Sequence, residues 1–159
     1  MIILSVLSIL IVPLITFLII PYLFISNKLA AWPKQLGILE ILAGILILIG
    51  LALFTWVIYA HAHYGKGTPA PFNPPKKFVA GGAYRYSRNP MYVGALILLV
   101  GEALLLRAPW MLLFTAFIFL LFLAYVIYEE EPRLIQRYGA SYQEYMRKVP
   151  RWLSLKQIQ

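Results

Sequence analysis

Two clusters of residues in this chain carry groups that could do chemistry. The first is Tyr84-Arg85-Tyr86-Ser87-Arg88-Asn89-Pro90-Met91-Tyr92-Val93-Gly94, where a long apolar run begins. The second is Glu129-Glu130-Glu131, where the next apolar run ends. Arg88, Asn89 and Tyr92 place a cation, an amide and a phenol within two helical turns. Carboxylates accept bonds from ribose hydroxyls or an ammonium, and they attract a sulfonium. A basic, aromatic, proline-set turn beside carboxylates therefore suits a cationic, nucleoside-bearing ligand. The structural readings are plainer. Asn89 could cap a helix and Tyr92 could anchor at an interface. The glutamates could form a solvated cap or pair with Arg85, Arg88 or Arg133. At a helix C-terminus three carboxylates oppose the macrodipole, by about 0.3–1 kcal/mol each when exposed. That placement favours a role beyond capping.

The elements that must bring the clusters together are membrane helices. The chain has 159 residues, of which 62% are hydrophobic and 13% charged. Soluble domains carry about 45–50% apolar and about 25% charged residues, so burial in water cannot account for this surface. An all-α, polytopic integral membrane protein is expected, as one domain over residues 1–159. Crossing the hydrocarbon core takes about 20 apolar residues. Four transmembrane helices are predicted, at about 2–25, 36–60, 91–106 and 110–128. The first contains Pro13 and Pro21 and should kink; it is read as a retained helix, not a signal peptide. Arg107-Ala108-Pro109 is a minimal turn, so spans three and four form an antiparallel hairpin. Pro90 suits the first turn of the third span.

The cationic residues set orientation. The loop 61–90 holds Lys66, Lys76, Lys77, Arg85 and Arg88. The tail 129–159 holds Arg133, Arg137, Arg147, Lys148, Arg151 and Lys156, whereas the other side has Lys28, Lys34 and Arg107. The positive-inside rule puts both termini and the loop in the cytoplasm, so both clusters share one membrane face. The net charge of +8 lies beside spans. It is therefore read as meeting membrane lipids, with no nucleic-acid partner.

Several chemistries fall away. There is no cysteine, which excludes disulfides, thiolate metal sites and a Cys nucleophile. With two histidines and six acidic residues, all Glu, no metal site is expected. No dinucleotide fingerprint, P-loop or nucleophile elbow is present. His61 and His63 could serve as a base or simply sit at the interface, and their i, i+2 spacing argues against joint metal binding. Glu40 and Glu102 fall near the outer face, at the depth of Lys34 and Arg107, which fits a structural pair or snorkelling.

The connecting segments are patterned. Gly65-Lys66-Gly67-Thr68-Pro69-Ala70-Pro71-Phe72-Asn73-Pro74-Pro75 cannot be a regular helix. It is either a linker or a rigid strap across a site mouth, leading into Lys76-Lys77-Phe78-Val79. In the tail, the helix continues or restarts at Pro132, and Gly139 is an expected C-cap. Ser141 and Glu144 read as a capping box. Tyr142, Tyr145 and Trp152 with Arg147, Lys148 and Arg151 suit an interfacial segment.

These residues carry a resemblance. Gly82-x-Tyr84-x-x-x-Arg88-Asn89-Pro90-x-Tyr92-x-Gly94, then Glu130-Glu131-x-x-Leu134, then Tyr138-Gly139-x-x-Tyr142-x-x-Tyr145 and Val149-Pro150-Arg151, occur in this order. Over about the last 95 residues the chain resembles the membrane methyltransferases of the isoprenylcysteine carboxyl methyltransferase family, related to phospholipid methyltransferases. The resemblance implies S-adenosyl-L-methionine as cofactor, held by loop and hairpin ends. It implies donor contacts from Lys76, Lys77, Phe78, Val79, Tyr84, Asn89, Pro90, Met91, Tyr92 and Glu130, with Glu131 completing the acidic pair. Arg88 and Tyr92 are the candidate catalytic residues. The acceptor would be a lipophilic small molecule or lipid entering between helices. Two positions depart from the family pattern. Asn89 stands where His is frequent, and Val126 stands where eukaryotic prenylcysteine enzymes carry a substrate-contacting Arg. The alternatives are a nicotinamide-dependent membrane reductase of related fold and a small transporter or scaffold.

Overall fold

The computed structural model describes residues 37–65 and 78–153. The first expected span, most of the proline-rich strap, and Lys76 and Lys77 lie outside the described residues. Among the described residues the fold is all-helical, with no strand.

Helix α1 runs Ile38–Ala60 and passes without a break into a π turn, His61–Gly65. A 3₁₀ turn, Gly82–Arg85, leads to α2, Pro90–Leu105. Pro90 occupies the first turn of α2, as its missing N–H and fixed φ favour. Arg107, Ala108 and Pro109 then reverse the chain into α3, Trp110–Tyr125. Arg107 takes a positive φ of 48°, and the turn closes through an Ala108 N–H to Ala103 carbonyl bond of 2.9 Å. The expected hairpin is therefore present.

The glutamates were read as lying at a helix C-terminus, while the helix was expected to continue or restart at Pro132. It continues: α3 passes through a π turn, Val126–Glu130, into α4, Glu131–Tyr138. The whole rod, Trp110–Tyr138, has 29 residues, about 44 Å of helix. The glutamates thus sit in mid-helix, and the macrodipole penalty does not apply to them. Pro132 neither breaks nor restarts the helix, because the wider π turn just before it spares the backbone bond that proline cannot donate.

Gly139 ends α4 with φ 57°, a conformation that Cβ-bearing residues avoid, and turns the chain into α5, Ala140–Lys148. Gly139 is the expected C-cap. The expected capping box is not formed: α5 begins at Ala140, which puts Ser141 inside the helix. Glu144 pairs with Lys148 at 2.8 Å instead.

Helices α1 and α2 pack antiparallel along a seam of small residues. Ala43, Gly50 and Val57 recur every seven residues on α1 and are all buried. Gly94 and Gly101 repeat at the same interval on α2. A Cβ at Gly94 would lie 3.2 Å from the Gly50 carbonyl oxygen, and one at Gly101 would lie 3.2 Å from that of Ala43. Small side chains let the two backbones touch, the usual basis of helix association in lipid. The outer faces are apolar: Leu48, Leu51, Leu113, Phe117 and Leu120 are exposed. Ile38–Gly65 and Trp110–Tyr138 are long and apolar enough to cross a membrane.

At the end of the bundle away from the glutamate cluster, Glu40 accepts two bonds from Arg107, at 2.8 and 2.9 Å, and one from the Gly37 N–H at 2.8 Å. This is the structural pairing expected for Glu40. The pairing expected for Glu102 is not formed among the described residues: its Oε2 is buried without a hydrogen bond.

Candidate functional site

The site forms where the start of α2, the π turn of the α3–α4 rod and the tail converge. Asn89 occupies the N-cap position of α2, yet its side chain makes no cap. It donates instead from Nδ2 to the Arg151 carbonyl at 2.9 Å. The capping expectation for Asn89 fails: its amide is turned to the tail through Nδ2, and its oxygen accepts no N–H of the first helical turn. Ser87 does the local work: its Oγ accepts the Asn89 N–H at 3.0 Å and donates to the Arg151 carbonyl at 3.3 Å. The Arg88 N–H donates to the Pro150 carbonyl at 2.9 Å. Tyr145 donates its hydroxyl to the Tyr84 carbonyl at 2.7 Å. Backbone groups that a turn leaves unpaired are thus met by the tail.

The acidic residues divide by role. Glu130 accepts the Tyr92 hydroxyl at 2.8 Å, and the Tyr92 ring packs on Phe122, centroids 4.6 Å apart. Glu131 is 6% exposed and is gripped by two arginines. Arg88 Nη1 donates to it at 2.8 Å, and Arg151 donates from Nε and Nη2 at 3.0 and 2.9 Å. Glu129 faces outward and meets only exposed Arg133, at 3.7 Å. An exposed pair of this kind contributes little. The π turn is what admits two adjacent carboxylates to the interior, since it winds the helix more widely than an α turn; such turns recur at functional sites. The Glu131 N–H bonds to the Val126 carbonyl, five residues back.

Tyrosines line the rest. Burial, and then the Glu130 carboxylate, push the Tyr84 phenol well above the usual range. Burial, then Glu131, push that of Tyr142 up to about 12. Both stay protonated near neutral pH and remain donors. The Arg151 guanidinium is held above its ordinary value by its bonds to Glu131. Phe78 sits among Tyr138, Tyr142 and Tyr145 with centroids 4.9–5.5 Å apart, and Val79 is buried. Met91 is half-buried at the next position of α2 after Pro90. His61 turns its Nδ1 to the Val57 carbonyl at 3.1 Å and its ring edge to Tyr84. Among the described residues, no group of His and Glu could hold a metal ion.

The structure therefore brings Tyr84, Arg88, Asn89, Pro90, Tyr92, Glu130 and Glu131 to one region, with Phe78 against its tail wall. An apolar groove of about 350 Å³ adjoins it, lined by Leu53, Trp56, Tyr86, Pro90, Val93 and Leu153, with Ser87 also in the wall. Pro90 and Ser87 belong to the same turn as Asn89, so groove and carboxylate site share a boundary.

Sequence reasoning missed the part played by Arg151 and Tyr145, which were read as interfacial. The available signal was charge balance. Three adjacent glutamates beside an apolar run call for more than one cation, and Arg151 is among the basic residues of the tail.

A sequence model described as phospholipid methyltransferase matches residues 38–141. The chain belongs to the phospholipid methyltransferase family. Two relatives are named protein-S-isoprenylcysteine O-methyltransferase. The one from Saccharomyces cerevisiae is 27% identical over 129 residues, 80% of this chain and 54% of its own length. The one from Schizosaccharomyces pombe is 35% identical over 77 residues, 48% of this chain and 33% of its own length. This methyltransferase-family chain thus spans about half of the first relative and a third of the second. The family match runs from the start of α1 to the start of α5, and so includes both glutamates and the Arg88–Tyr92 turn. Membership and the two long apolar helices make it a membrane protein.

Proposed function

We propose that this chain transfers a methyl group from S-adenosyl-L-methionine to a lipophilic acceptor at the cytoplasmic membrane face. The observation that carries the reading is the Glu130 carboxylate, oriented by Tyr92 at 2.8 Å, in a site that shares the Ser87–Pro90 turn with an apolar groove. Tyr92 engages Oε2 and leaves Oε1 to accept from a ribose hydroxyl or an ammonium. The donor set fits such a ligand: a carboxylate, protonated phenols and the amide side of a proline turn. Bound there, the donor supplies an electrophilic methyl on a sulfonium. Glu130, Tyr84, Asn89, Pro90, Met91 and Tyr92 would form its cradle, together with Phe78, Val79, Lys76 and Lys77, the last two outside the described residues. Tyr92 holds Glu130, and Arg88 holds Glu131, so both candidate catalytic residues act by fixing carboxylates.

The protein contributes orientation and a dry environment. Holding the acceptor in line converts an encounter into a near-unimolecular step. Apolar walls replace the water that would shield the sulfonium. No protein nucleophile is required. The acceptor's chain would lie in the groove beside Leu53, Trp56 and Val93. The relatives are named for an S-isoprenylcysteine acceptor, which is lipophilic and matches that groove in class. Val126 is fully buried and apolar, so it offers no cation to an acceptor carboxylate. Four spans with cytoplasmic termini complete the reading, on the distribution of Lys and Arg.

The test is binding of S-adenosylhomocysteine to purified protein, followed by transfer of labelled methyl to extracted lipids. Glu130→Ala should weaken binding. Unchanged binding in a folded Glu130→Ala, Tyr92→Phe double variant would sink the proposal.

A further inference from the structure

The segment 149–151 closes over the site and is tied to it by its backbone and by one side chain. Pro150 and Arg151 offer their carbonyls to three donors of the turn: the Arg88 N–H, the Ser87 hydroxyl and the Asn89 amide. The Arg151 guanidinium reaches past them to Glu131 and engages both of its oxygens. Arg88 bonds only Oε1 of the same carboxylate. Glu131 is therefore a knot joining three pieces of chain: the turn before α2, the junction of the π turn with α4, and the tail.

We propose that Arg151 is a positioning residue that, through Glu131, fixes both the Arg88–Asn89 turn and the neighbouring Glu130 carboxylate. The argument is geometric. Glu131 follows Glu130 on one helical turn, so the rotation that seats one sets the direction of the other. Without Arg151, Glu131 Oε2 loses its partner inside a site where the side chain is 7% exposed. A buried oxygen left unpaired is unfavourable, and the helix turn rotates to relieve it. Glu130 turns with it, away from Tyr92. The carbonyls of Pro150 and Arg151 are placed by the same residue, so the turn loosens at its other edge as well. Arg is suited to this task because its planar fork meets both carboxylate oxygens at once; Lys would supply charge but one contact at a time. The consequence for donor affinity rests on the proposed function, whereas the effect on the turn does not.

The experiment uses the full chain in lipid nanodiscs, with two readouts. Hydrogen exchange by mass spectrometry follows peptides spanning residues 84–92. Titration with S-adenosylhomocysteine follows the donor site. Arg151→Ala should exchange faster across Arg88 and Asn89 and bind the analogue roughly tenfold to a hundredfold more weakly, the scale on which a small misplacement acts. Arg151→Lys should fall between Arg151→Ala and the wild type. Lys148→Ala removes an exposed tail pair and should leave both readouts at the wild-type level. If Arg151→Ala does not fold, Glu131→Gln keeps the side-chain shape and should produce the same faster exchange. Unchanged exchange in a folded Arg151→Ala, or an equal change in Lys148→Ala, overturns the proposal. A wild-type protein that binds no analogue overturns the proposed function instead, and the exchange readout still decides the role of Arg151.

Discussion

Gly50 and Gly44 lie six residues apart on α1 and present opposite cases. A Cβ added at Gly50 would stand 2.5 Å from Leu98 Cγ and 2.9 Å from the Gly94 carbonyl oxygen. Carbon atoms rest about 3.5–4.0 Å apart, so Leu98 must retreat by about 1.0–1.5 Å. Leu98 can change rotamer, but the Gly94 carbonyl is backbone, so α1 and α2 must also part. Overpacking of this kind costs about 1–3 kcal/mol. Replacing a helical glycine with alanine returns about 0.8–1.0 kcal/mol. Gly50→Ala should therefore be destabilising by about 0–2 kcal/mol. A Cβ at Gly44 meets nothing within 4 Å, so Gly44→Ala keeps the propensity gain of about 1 kcal/mol. The assay is equilibrium unfolding in mixed micelles followed by circular dichroism. Function should follow the same order, because α1 carries Trp56 and α2 carries Pro90 and Val93 of the groove. Methyl transfer is expected to fall in Gly50→Ala and hold in Gly44→Ala. If Gly50→Ala is as stable as Gly44→Ala, the close crossing of α1 and α2 is wrong.

Other expectations follow from single contacts. Arg107→Ala removes two bonds to the Glu40 carboxylate and should lower stability in the same unfolding assay. Analogue affinity should not change, since Arg107 lies about 20 Å along α2 from Tyr92; a matched loss of affinity would contradict this. Phe78→Ala empties the space between three tyrosines and should cost up to about 3 kcal/mol in the same unfolding assay. The Tyr142 phenol titrates near pH 12 in the folded state against about 10 unfolded. A raised value means stability is full below pH 10 and is lost as pH rises from 10 toward 12. Melting curves should be flat to pH 9 and fall above 10, with a shallower fall in Tyr142→Phe; equal slopes would refute the assignment.

Local pattern carried much of the fold. The apolar runs give α1, α2 and the start of α3 to within about two residues, because lipid leaves a helix as the way to satisfy every backbone group. Pro90 marks the start of α2 through its fixed φ and missing N–H, and Gly139 marks the end of α4 through its positive φ. The errors share one cause. The glutamates were placed at a helix C-terminus because hydropathy falls near residue 128, whereas hydrogen bonding carries the helix on to Tyr138. Asn89 and Ser141 have good capping side chains, yet each serves elsewhere or nowhere, since a cap competes with partners that arrive from distant sequence.

Sequence by itself determined that this chain is a helical membrane protein with two polar clusters, because composition, charge and residue type are local properties. The resemblance to a known family also separated Glu130 and Glu131 from Glu129. Only the tertiary structure decided what each carboxylate touches. The π turn admits two adjacent glutamates to the interior, Tyr92 takes the first, and Arg88 and Arg151 share the second. Those pairings join residues 20 to 43 positions apart, and no local periodicity encodes contacts that exist only once the helices have packed.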